Sequence, residues 1–544
     1  MTSDKDWQAI AAGKRESNAA KIPKEWRLPQ DILKDVHNSS DLNVLDIPRS
    51  CGILTDQEVA ITEKHDATAL LEKLASGELT AYDVTLAFCK RAALAQQLTN
   101  CLTEIMFEEA LARAKSLDEQ LKEKGKPMGP LHGLPISLKD SFNVKGVQAT
   151  VGYVSFVSHP PASQNSALVD ILLSQGAVLH CKTNLPQTMM TADSENNVFG
   201  RTLNPNKLSL TAGGSTGGEG ALLKMRGSLL GVGTDIAGSV RIPPHCNGVW
   251  GFKPTVGRIP FSGKTPPGRM GSPSSILPCI GPQGHSVRDM ELFMKTVLDF
   301  DPWQLDEGCL AVPWRRVEPV SKPLRLGLIM EDPKRPLHPS IMRAMTTATE
   351  ALKDAGHTII PLDGQYPSIY ETAILAWKFF LLDPAKTPLK YMKEGNEPFV
   401  ASLATSRFPE LDNYEPNLND LFDMNVERRK IMKVYHDLVV QNQLDAIVMP
   451  TYQATAVPHD TYGLPIYTVL PNVIDYPAAA MPYLKASKEL DKDFVRSDIE
   501  YVPPYDADAV EGAPCGIQVV GKPMRDEELM TVLKVIEDVL KPTT

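Results

Sequence analysis

Three polar side chains lie in stretches of sequence that are otherwise apolar or rich in glycine. Lys139 follows the apolar run LPISL, Ser215 lies in GGSTGGEG, and Ser239 lies in GTDIAGSVRIP. A serine hydroxyl is a poor nucleophile until a neighbouring base takes its proton. A lysine can be that base only when it is neutral, and burial lowers a lysine pKa by up to about 3–5 units. The residue types therefore permit covalent catalysis. They leave open whether the base is the lysine or one of the 11 histidines.

Each of these residues also has a plainer interpretation. Lys139 on its own is more typical of a lysine that reaches solvent at the end of a strand. Ser215 is typical of a flexible loop, because glycines on both sides give the backbone unusual freedom. Ser239 is compatible with an ordinary turn whose serine caps a helix. No single one of the three motifs is diagnostic.

The glycine-rich loop around Ser215 also has to be compared with phosphate-binding loops, which cradle anions at a helix N-terminus. Such a loop needs Gly-Lys-Ser or Gly-Lys-Thr before the helix, whereas this chain has Gly218, Glu219 and Gly220. An acidic Glu219 at that position would repel a phosphate. We therefore exclude nucleotide binding by this loop.

The turn around Ser239 is suited to stabilising a negative charge. Its small residues predict a run of backbone N–H groups directed at one point, those of Ile236, Ala237, Gly238 and Ser239. Converging N–H groups are what an oxyanion hole requires. Asp235 and Arg241 flank this run, and we expect them to brace the loop, as a pair.

The order and spacing of the three residues form a recognisable pattern. Lys139 lies 76 positions before Ser215, which lies 24 positions before Ser239. The stretch GGSTGGEGALLKMRGSLLGVGTDIAGSVRIP, together with GPLHGLPISLKD, resembles the signature of the amidase-signature family. KIPKEW, TNLPQTM and GAPCGIQVVG extend the resemblance over nearly the whole chain, towards fungal acetamidases and general amidases.

This resemblance implies a Lys–Ser–Ser triad. Ser239 would be the nucleophile, Lys139 the base, and Ser215 the bridge between them, after a cis peptide bond between Gly214 and Ser215. His132 and His245 lie near the motifs, but neither has an obvious acidic partner in sequence, and the resemblance favours lysine as the base. It further implies that Met189 lines the acyl side of the pocket.

The same resemblance implies the substrate and the partners. We expect a small monocarboxylic amide such as acetamide, no cofactor and no metal, and a possible homodimer. Two residues depart from the family pattern: Thr216 stands where a second serine is common, and Ala237 where glycine is common. A methyl group at position 237 would narrow the loop slightly and would leave its N–H in place.

The elements that must hold these residues alternate between strands and helices. Short apolar runs at 134–138, 176–183, 228–233, 324–329, 358–362, 445–450 and 516–521 predict buried strands, and amphipathic stretches between them predict helices. This alternation predicts an α/β fold, and the resemblance implies a large mixed central sheet flanked by helices on both faces. We predict an N-terminal helical arm at 1–54 and a catalytic domain at 55–544. The first part of this domain, from Thr55 to about Lys126, has a helical pattern. A cap-like insertion within 260–440 is possible and would shape the pocket.

Composition excludes several classes. The chain has 544 residues, with 56 basic and 66 acidic side chains, and this acidic balance disfavours nucleic-acid binding. No apolar run reaches membrane-spanning length, so no transmembrane segment is expected. Eight scattered cysteines without a C-x-x-C pair suggest neither a zinc site nor a disulfide framework. With a polar N-terminus, these features predict a cytoplasmic protein.

Alternative functions remain at this stage. The chain could hydrolyse fatty acyl amides or other acyl amides and esters. It could be the glutamine-hydrolysing subunit of a tRNA-dependent amidotransferase, although its acidity and long arm argue against this. A catalytically silent binding or scaffold protein is the alternative of another class.

Overall fold

An eleven-stranded mixed sheet forms the centre of the protein. The computed structural model describes residues 6–320 and 322–541. In these residues the strands are β1 (Leu102–Ile105), β2 (Pro135–Lys139), β3 (Val178–Thr183), β4 (Glu195–Asn196), β5 (Gly200–Arg201), β6 (Leu230–Asp235), β7 (Trp250–Lys253), β8 (Cys279–Gly284), β9 (Arg325–Leu328), β10 (Thr358–Pro361), β11 (Ala446–Pro450), β12 (Ala478–Lys485) and β13 (Pro514–Val520).

Helices cover this sheet. The α-helices are α1 (Trp7–Ala20), α2 (Gln30–Leu33), α3 (Ile47–Ser50), α4 (Asp56–Glu63), α5 (Ala67–Ser76), α6 (Ala81–Thr99), α7 (Phe107–Lys124), α8 (Ala167–Ser174), α9 (Gly217–Lys224), α10 (Ile242–Asn247), α11 (Val287–Leu298), α12 (Pro339–Asp354), α13 (Ile369–Phe380), α14 (Thr387–Glu394), α15 (Ser402–Thr405), α16 (Leu418–Gln441), α17 (Ile466–Val473), α18 (Lys488–Asp491) and α19 (Asp526–Leu540). Single 3-10 turns span Lys24–Trp26, Val154–Ser158, Gln187–Met189, Pro302–Gln304, Pro409–Leu411 and Lys492–Phe494.

The sheet order places the motif-bearing strands in its interior. The order is β1-β3-β2-β6-β8-β7-β12-β13-β11-β9-β10, with β4 and β5 forming a separate two-stranded sheet. β2 is parallel to both of its neighbours, β3 and β6, and β6 is antiparallel to β8. Every residue of β2, β3, β6, β8 and β13 is buried. Burial on both faces explains why several of these strands were recognisable as continuous apolar runs.

The predicted α/β fold class is confirmed, since the protein has a large mixed sheet flanked by helices. The helical prediction is wrong at β1. Asn100 adopts a left-handed conformation (φ 52°) that ends α6, and the chain then pairs antiparallel with β3. Its partner lies far away in sequence, so local periodicity could not reveal the pairing.

The N-terminal helix packs against the edge of the sheet. Asn18 donates a hydrogen bond to the Thr103 carbonyl (2.5 Å), and Lys21 donates to the Ile105 carbonyl (3.2 Å). These are alternate carbonyls of the edge strand β1. The division into an arm and a catalytic domain stays a prediction. In the described part of the chain, no helix combines the length and apolar character needed to cross a membrane.

Candidate active site

Lys139 is the last residue of β2, and its side chain is fully buried (0% exposed). Its Nζ lies 2.7 Å from Ser215 Oγ and 3.0 Å from Thr234 Oγ1, both within hydrogen-bonding distance. Thr234 lies on β6, the strand next to β2. The parallel pairing of β2 and β6 therefore fixes the direction of the lysine side chain.

Burial changes the protonation of this lysine. Removal from water lowers the pKa of Lys139 from its ordinary 10.5 to about 7, while the negative charge of Asp235 acts in the opposite direction. Because desolvation penalises the charged form, a large fraction of this amine is neutral near pH 7. Lys139 can thus accept a proton under ordinary conditions.

A second short contact extends the chain of polar groups. Ser215 Oγ and Ser239 Oγ are joined by a hydrogen bond of 2.8 Å, and Ser239 is only 8% exposed. The peptide bond between Gly214 and Ser215 is cis, as the resemblance implied. A Cβ at position 214 would lie 2.4 Å from the Thr191 carbonyl oxygen, so the close approach of these segments requires glycine.

A buried carboxylate organises the loop that carries Ser239. Asp235 accepts hydrogen bonds from the N–H groups of Gly238 (2.8 Å) and Val240 (3.0 Å), and forms an ion pair with Arg241 (3.0 Å). Burial by itself would raise the pKa of Asp235, but the Arg241 charge and the hydrogen bonds outweigh it and hold this pKa below its usual range. The carboxylate is therefore ionised and folds the loop around itself.

Arg241 extends this bracing to other parts of the chain. It is fully buried and donates to the side-chain oxygens of Asn472 (2.7 Å) and Gln518 (2.6 Å). Asn472 belongs to α17 and Gln518 to β13. The pair flanking Ser239 thus connects the loop to two elements far downstream.

The structure changes one expectation about the oxyanion loop. The N–H of Gly238 donates to Asp235, so it is engaged by that carboxylate and does not point at free space. Gly238 has φ +123°, and a Cβ there would lie 2.1 Å from Thr468 Oγ1. Ile236, Ala237 and Ser239 line the adjacent pocket. The sequence had placed all four N–H groups together, but it could not show that Asp235 would take one of them.

A small pocket opens beside Ser239, with a cavity volume of 20 Å³. Its remaining lining comes from several segments: Met189, Met190, Thr191, Ala192, Gly214, Ile242, Trp377 and Pro465. Thr188 and Met189 have positive φ values of 65° and 58°. Non-glycine residues adopt this conformation mainly where the surrounding structure enforces it, often at functional sites. The structure therefore brings Met189 to the pocket, as the sequence resemblance implied.

Sequence reasoning missed Trp377 and Pro465 as pocket residues. Both lie more than 130 positions beyond Ser239, in regions without a motif. An isolated tryptophan in an amphipathic helix is indistinguishable from an ordinary core residue. Only the tertiary contact places these side chains at the pocket.

The two histidines near the motifs, His132 and His245, lie outside the group formed by Lys139, Ser215 and Ser239. His245 bonds through Nε2 to the Ala454 carbonyl (2.8 Å), and burial lowers its pKa to about 4. His132 accepts from the Met128 N–H (3.1 Å). Among the described residues, the second ring nitrogen of each histidine has no hydrogen-bond partner. Neither histidine is hydrogen-bonded to Ser215 or Ser239.

Glu219, which argued against a phosphate loop, is completely buried beneath the strands. Its carboxyl group is hydrogen-bonded by the Ser137 hydroxyl and by Thr183 Oγ1 (2.9 Å). Burial raises the pKa of Glu219 to about 7, and these two hydrogen bonds oppose the rise. Glu219 therefore packs below the site and does not face the pocket.

Comparison with known proteins identifies the family. The family model described as Amidase matches residues 83–530. The chain belongs to the amidase-signature family. A protein named Amidase from Gibberella moniliformis is 41% identical over 539 residues, which cover 98% of this chain and 99% of that protein. The Acetamidase of Emericella nidulans is 35% identical over 553 residues, covering 98% of each chain.

A solved structure supports the same conclusion. The structure named Fatty acid amide hydrolase superposes with a TM-score of 0.89 at 34% identity, covering 98% of this chain and 95% of that one. As a member of this family, the protein is an amide hydrolase.

Proposed function

We propose that this amidase cleaves amides through an acyl-enzyme, with Ser239 as nucleophile and Lys139 and Ser215 as its proton-transfer groups. The observation that carries the proposal is the buried line of three polar atoms, Lys139 Nζ, Ser215 Oγ and Ser239 Oγ, separated by 2.7 and 2.8 Å. These are distances at which protons transfer. The nucleophile, its bridge and its base meet the geometric requirement for covalent catalysis.

In the acylation step, Ser239 Oγ attacks the amide carbonyl carbon and forms a C–O bond. Its proton passes to Ser215, whose own proton passes to the neutral Lys139 amine. The carbonyl oxygen becomes an oxyanion, which the N–H groups of Ile236, Ala237 and Ser239 stabilise. When the C–N bond breaks, Ser215 delivers a proton to the leaving nitrogen and recovers one from Lys139.

In the deacylation step, a water molecule takes the position of the departed amine. Ser215 and Lys139 accept its proton while its oxygen attacks the ester carbonyl. The C–O bond to Ser239 then breaks, the serine regains a proton, and the carboxylic acid leaves. The reaction therefore needs only these side chains, the amide and water.

We propose a small monocarboxylic amide, such as acetamide, as the substrate class. The narrow pocket beside Ser239 supports this, because its volume of 20 Å³ is little more than the roughly 10–15 Å³ that one water molecule needs. The likeness to the Emericella nidulans Acetamidase agrees with it. Fatty acyl amides and esters are the alternative, favoured by the likeness to the structure named Fatty acid amide hydrolase. The cytoplasmic location and the homodimer stay predictions.

The triad is tested by replacing its members one at a time. We expect Ser239→Ala to abolish labelling by a fluorophosphonate probe, because no acyl-enzyme analogue can form. Lys139→Ala should lower kcat by several orders of magnitude with partial recovery at high pH, and Ser215→Ala should fall between these extremes. Thr216→Ser, a change beside the triad at a hydroxyl without a partner in the described residues, is the control and should be nearly silent. Near-normal turnover of Lys139→Ala at neutral pH would refute the role of the lysine.

The substrate class is tested with straight-chain amides from acetamide to lauramide, each compared with its matching ester. We expect kcat/KM to be highest for the two shortest amides and to fall steeply with chain length. A maximum at lauramide would replace the proposal by the fatty acyl alternative. Absence of turnover and of probe labelling would favour a catalytically silent protein.

A further inference from the structure

The lining of the pocket ranges from small residues to methionine and isoleucine side chains, and Trp377 is its largest member. Ala192, Gly214 and Ala237 contribute little side-chain volume to this lining, whereas Trp377 reaches it from α13. An indole is the largest side chain available in proteins. Its position decides how much space remains beside Ser239.

The indole of Trp377 is held firmly in place. Its Nε1 donates a hydrogen bond to the Ser406 carbonyl (3.3 Å). Its ring packs edge-to-face against Phe380 (5.4 Å between centroids) and Phe408 (5.3 Å). The residue is only 6% exposed. A ring with a hydrogen bond and two aromatic contacts has little freedom to move aside for a longer acyl group.

The helix that carries Trp377 is connected to the nucleophile loop. Asp332 accepts a hydrogen bond from the Tyr370 N–H of α13 (3.1 Å), and its own N–H donates to the Tyr467 hydroxyl of α17 (2.8 Å). The next residue of α17, Thr468, donates to the Ala237 carbonyl (2.7 Å). A series of hydrogen bonds through Asp332 and α17 therefore holds the helix of Trp377 in position relative to the loop.

We propose that Trp377 determines acyl-chain length, forming a fixed wall that admits an acyl group of two or three carbons and excludes longer ones. The proposal rests on the proposed function, since it names the specificity residue of that site. Replacement of the indole by a small side chain opens the pocket towards Ser406 and Phe408. The variant then accepts longer linear acyl amides without any change in the triad.

The test compares kcat/KM for hexanamide and acetamide in wild type, Trp377→Phe and Trp377→Ala. Each methylene excluded or admitted by a pocket changes kcat/KM by about 10–200-fold. We expect Trp377→Ala to raise the ratio of hexanamide to acetamide by at least about 10-fold, and Trp377→Phe to give an intermediate ratio. An unchanged ratio in a Trp377→Ala enzyme that still hydrolyses acetamide overturns the proposal.

Phe408→Leu is the matched control, because Phe408 touches Trp377 without lining the pocket. Phe408→Leu removes an aromatic contact of Trp377 but leaves the indole in the pocket wall. The ratio of kcat/KM for hexanamide to that for acetamide should therefore stay as in wild type. An increase in Phe408→Leu equal to that in Trp377→Ala would show that loosened packing, and not the wall, sets the selectivity.

A binding measurement separates this proposal from the catalytic one. Hexanamide binding is measured by saturation-transfer NMR titration in Ser239→Ala and in Ser239→Ala/Trp377→Ala, neither of which needs turnover. We expect the double variant to bind hexanamide at least about 10-fold more tightly than Ser239→Ala does. Equal affinities refute the wall, whereas tighter binding together with an inactive wild type refutes only the proposed function.

Discussion

At the scale of single residues, the surroundings of Lys139 decide the chemistry. Lysine in water is protonated at neutral pH and has no lone pair with which to accept a proton. Burial at the end of β2 lowers its pKa to about 7, and Ser215 and Thr234 offer its amine polar contacts at 2.7 and 3.0 Å. The same residue that is ordinary on a surface becomes a base when the sheet removes it from water.

This lysine predicts a pH dependence with a definite sign. Only the neutral amine accepts a proton, and its fraction rises as the pH increases through about 7. Below that value, kcat/KM for acetamide should therefore fall about tenfold per pH unit. The measurement is kcat/KM between pH 5 and 9.

Glu219 provides the control, because burial places its pKa at about 7 as well. Glu219→Gln removes this titration and should leave the rising limb of kcat/KM in place. Loss of the limb in Glu219→Gln would assign it to the carboxyl group and contradict the role of Lys139.

At the scale of elements, the loop between β6 and α10 depends on Asp235. The carboxylate receives two N–H groups of its own loop and the guanidinium of Arg241. Through Arg241 and Asn472, the loop is attached to α17, which Asp332 links in turn to α13. The loop that carries Ser239 and the helices α13 and α17 are thus connected, although they come from separate parts of the chain.

We expect Asp235→Asn to damage catalysis more than substrate binding. The amide has one acceptor oxygen in place of two, so either Arg241 or the loop N–H groups lose their partner. Breaking such a buried pair costs about 3–5 kcal/mol, and losing one oxyanion donor lowers kcat by about 10²–10³-fold. The measurements are kcat, KM and Tm.

Asn472→Ala is the comparison for Asp235→Asn, because Asn472 contacts both charged groups but none of the loop N–H groups. Its kcat should fall by much less. A larger kcat loss in Asn472→Ala than in Asp235→Asn would show that α17, and not the carboxylate, holds the loop.

At the scale of the whole molecule, the N-terminal helix protects an edge of the sheet. Asn18 and Lys21 cover the outward carbonyls of β1, and Lys14 forms an ion pair of 2.5 Å with Glu104. Exposed edge strands present unpaired backbone groups that can pair with other chains. The helix therefore covers the outer edge of a series of strands in which β1 pairs with β3, and β3 pairs with the strand that carries Lys139.

Asn18→Ala is expected to weaken this protection. It leaves the Thr103 carbonyl without its donor, at a cost of about 1–3 kcal/mol, and so lowers Tm and speeds aggregation on heating. Differential scanning fluorimetry and light scattering measure both effects. Glu16→Ala, an exposed change on the same helix, should leave Tm and aggregation as in wild type. Equal behaviour of the two variants would contradict an edge-protecting role.

Some strands of the sheet could be predicted from the sequence and others could not. Apolar runs predicted β2, β3, β6 and β11 because strands buried on both faces carry few polar residues. The strands β7, β8 and β12 were not predicted: GPQG contains glycine and proline, and AAAMPYLK is rich in alanine. Such residues have weak strand preference, and these segments become strands because neighbouring strands supply their hydrogen bonds.

The sequence by itself determined the family, the α/β class and the identity of the three polar residues, because a long motif with fixed spacing leaves few alternatives. The tertiary structure decided which groups face which. Asp235 took the Gly238 N–H, Glu219 was buried beneath β2, and Trp377 came to line the pocket. The physical reason is that hydrogen bonding, desolvation and steric exclusion depend on distances between atoms, and residues far apart in the chain acquire those distances only when the sheet and its helices have packed.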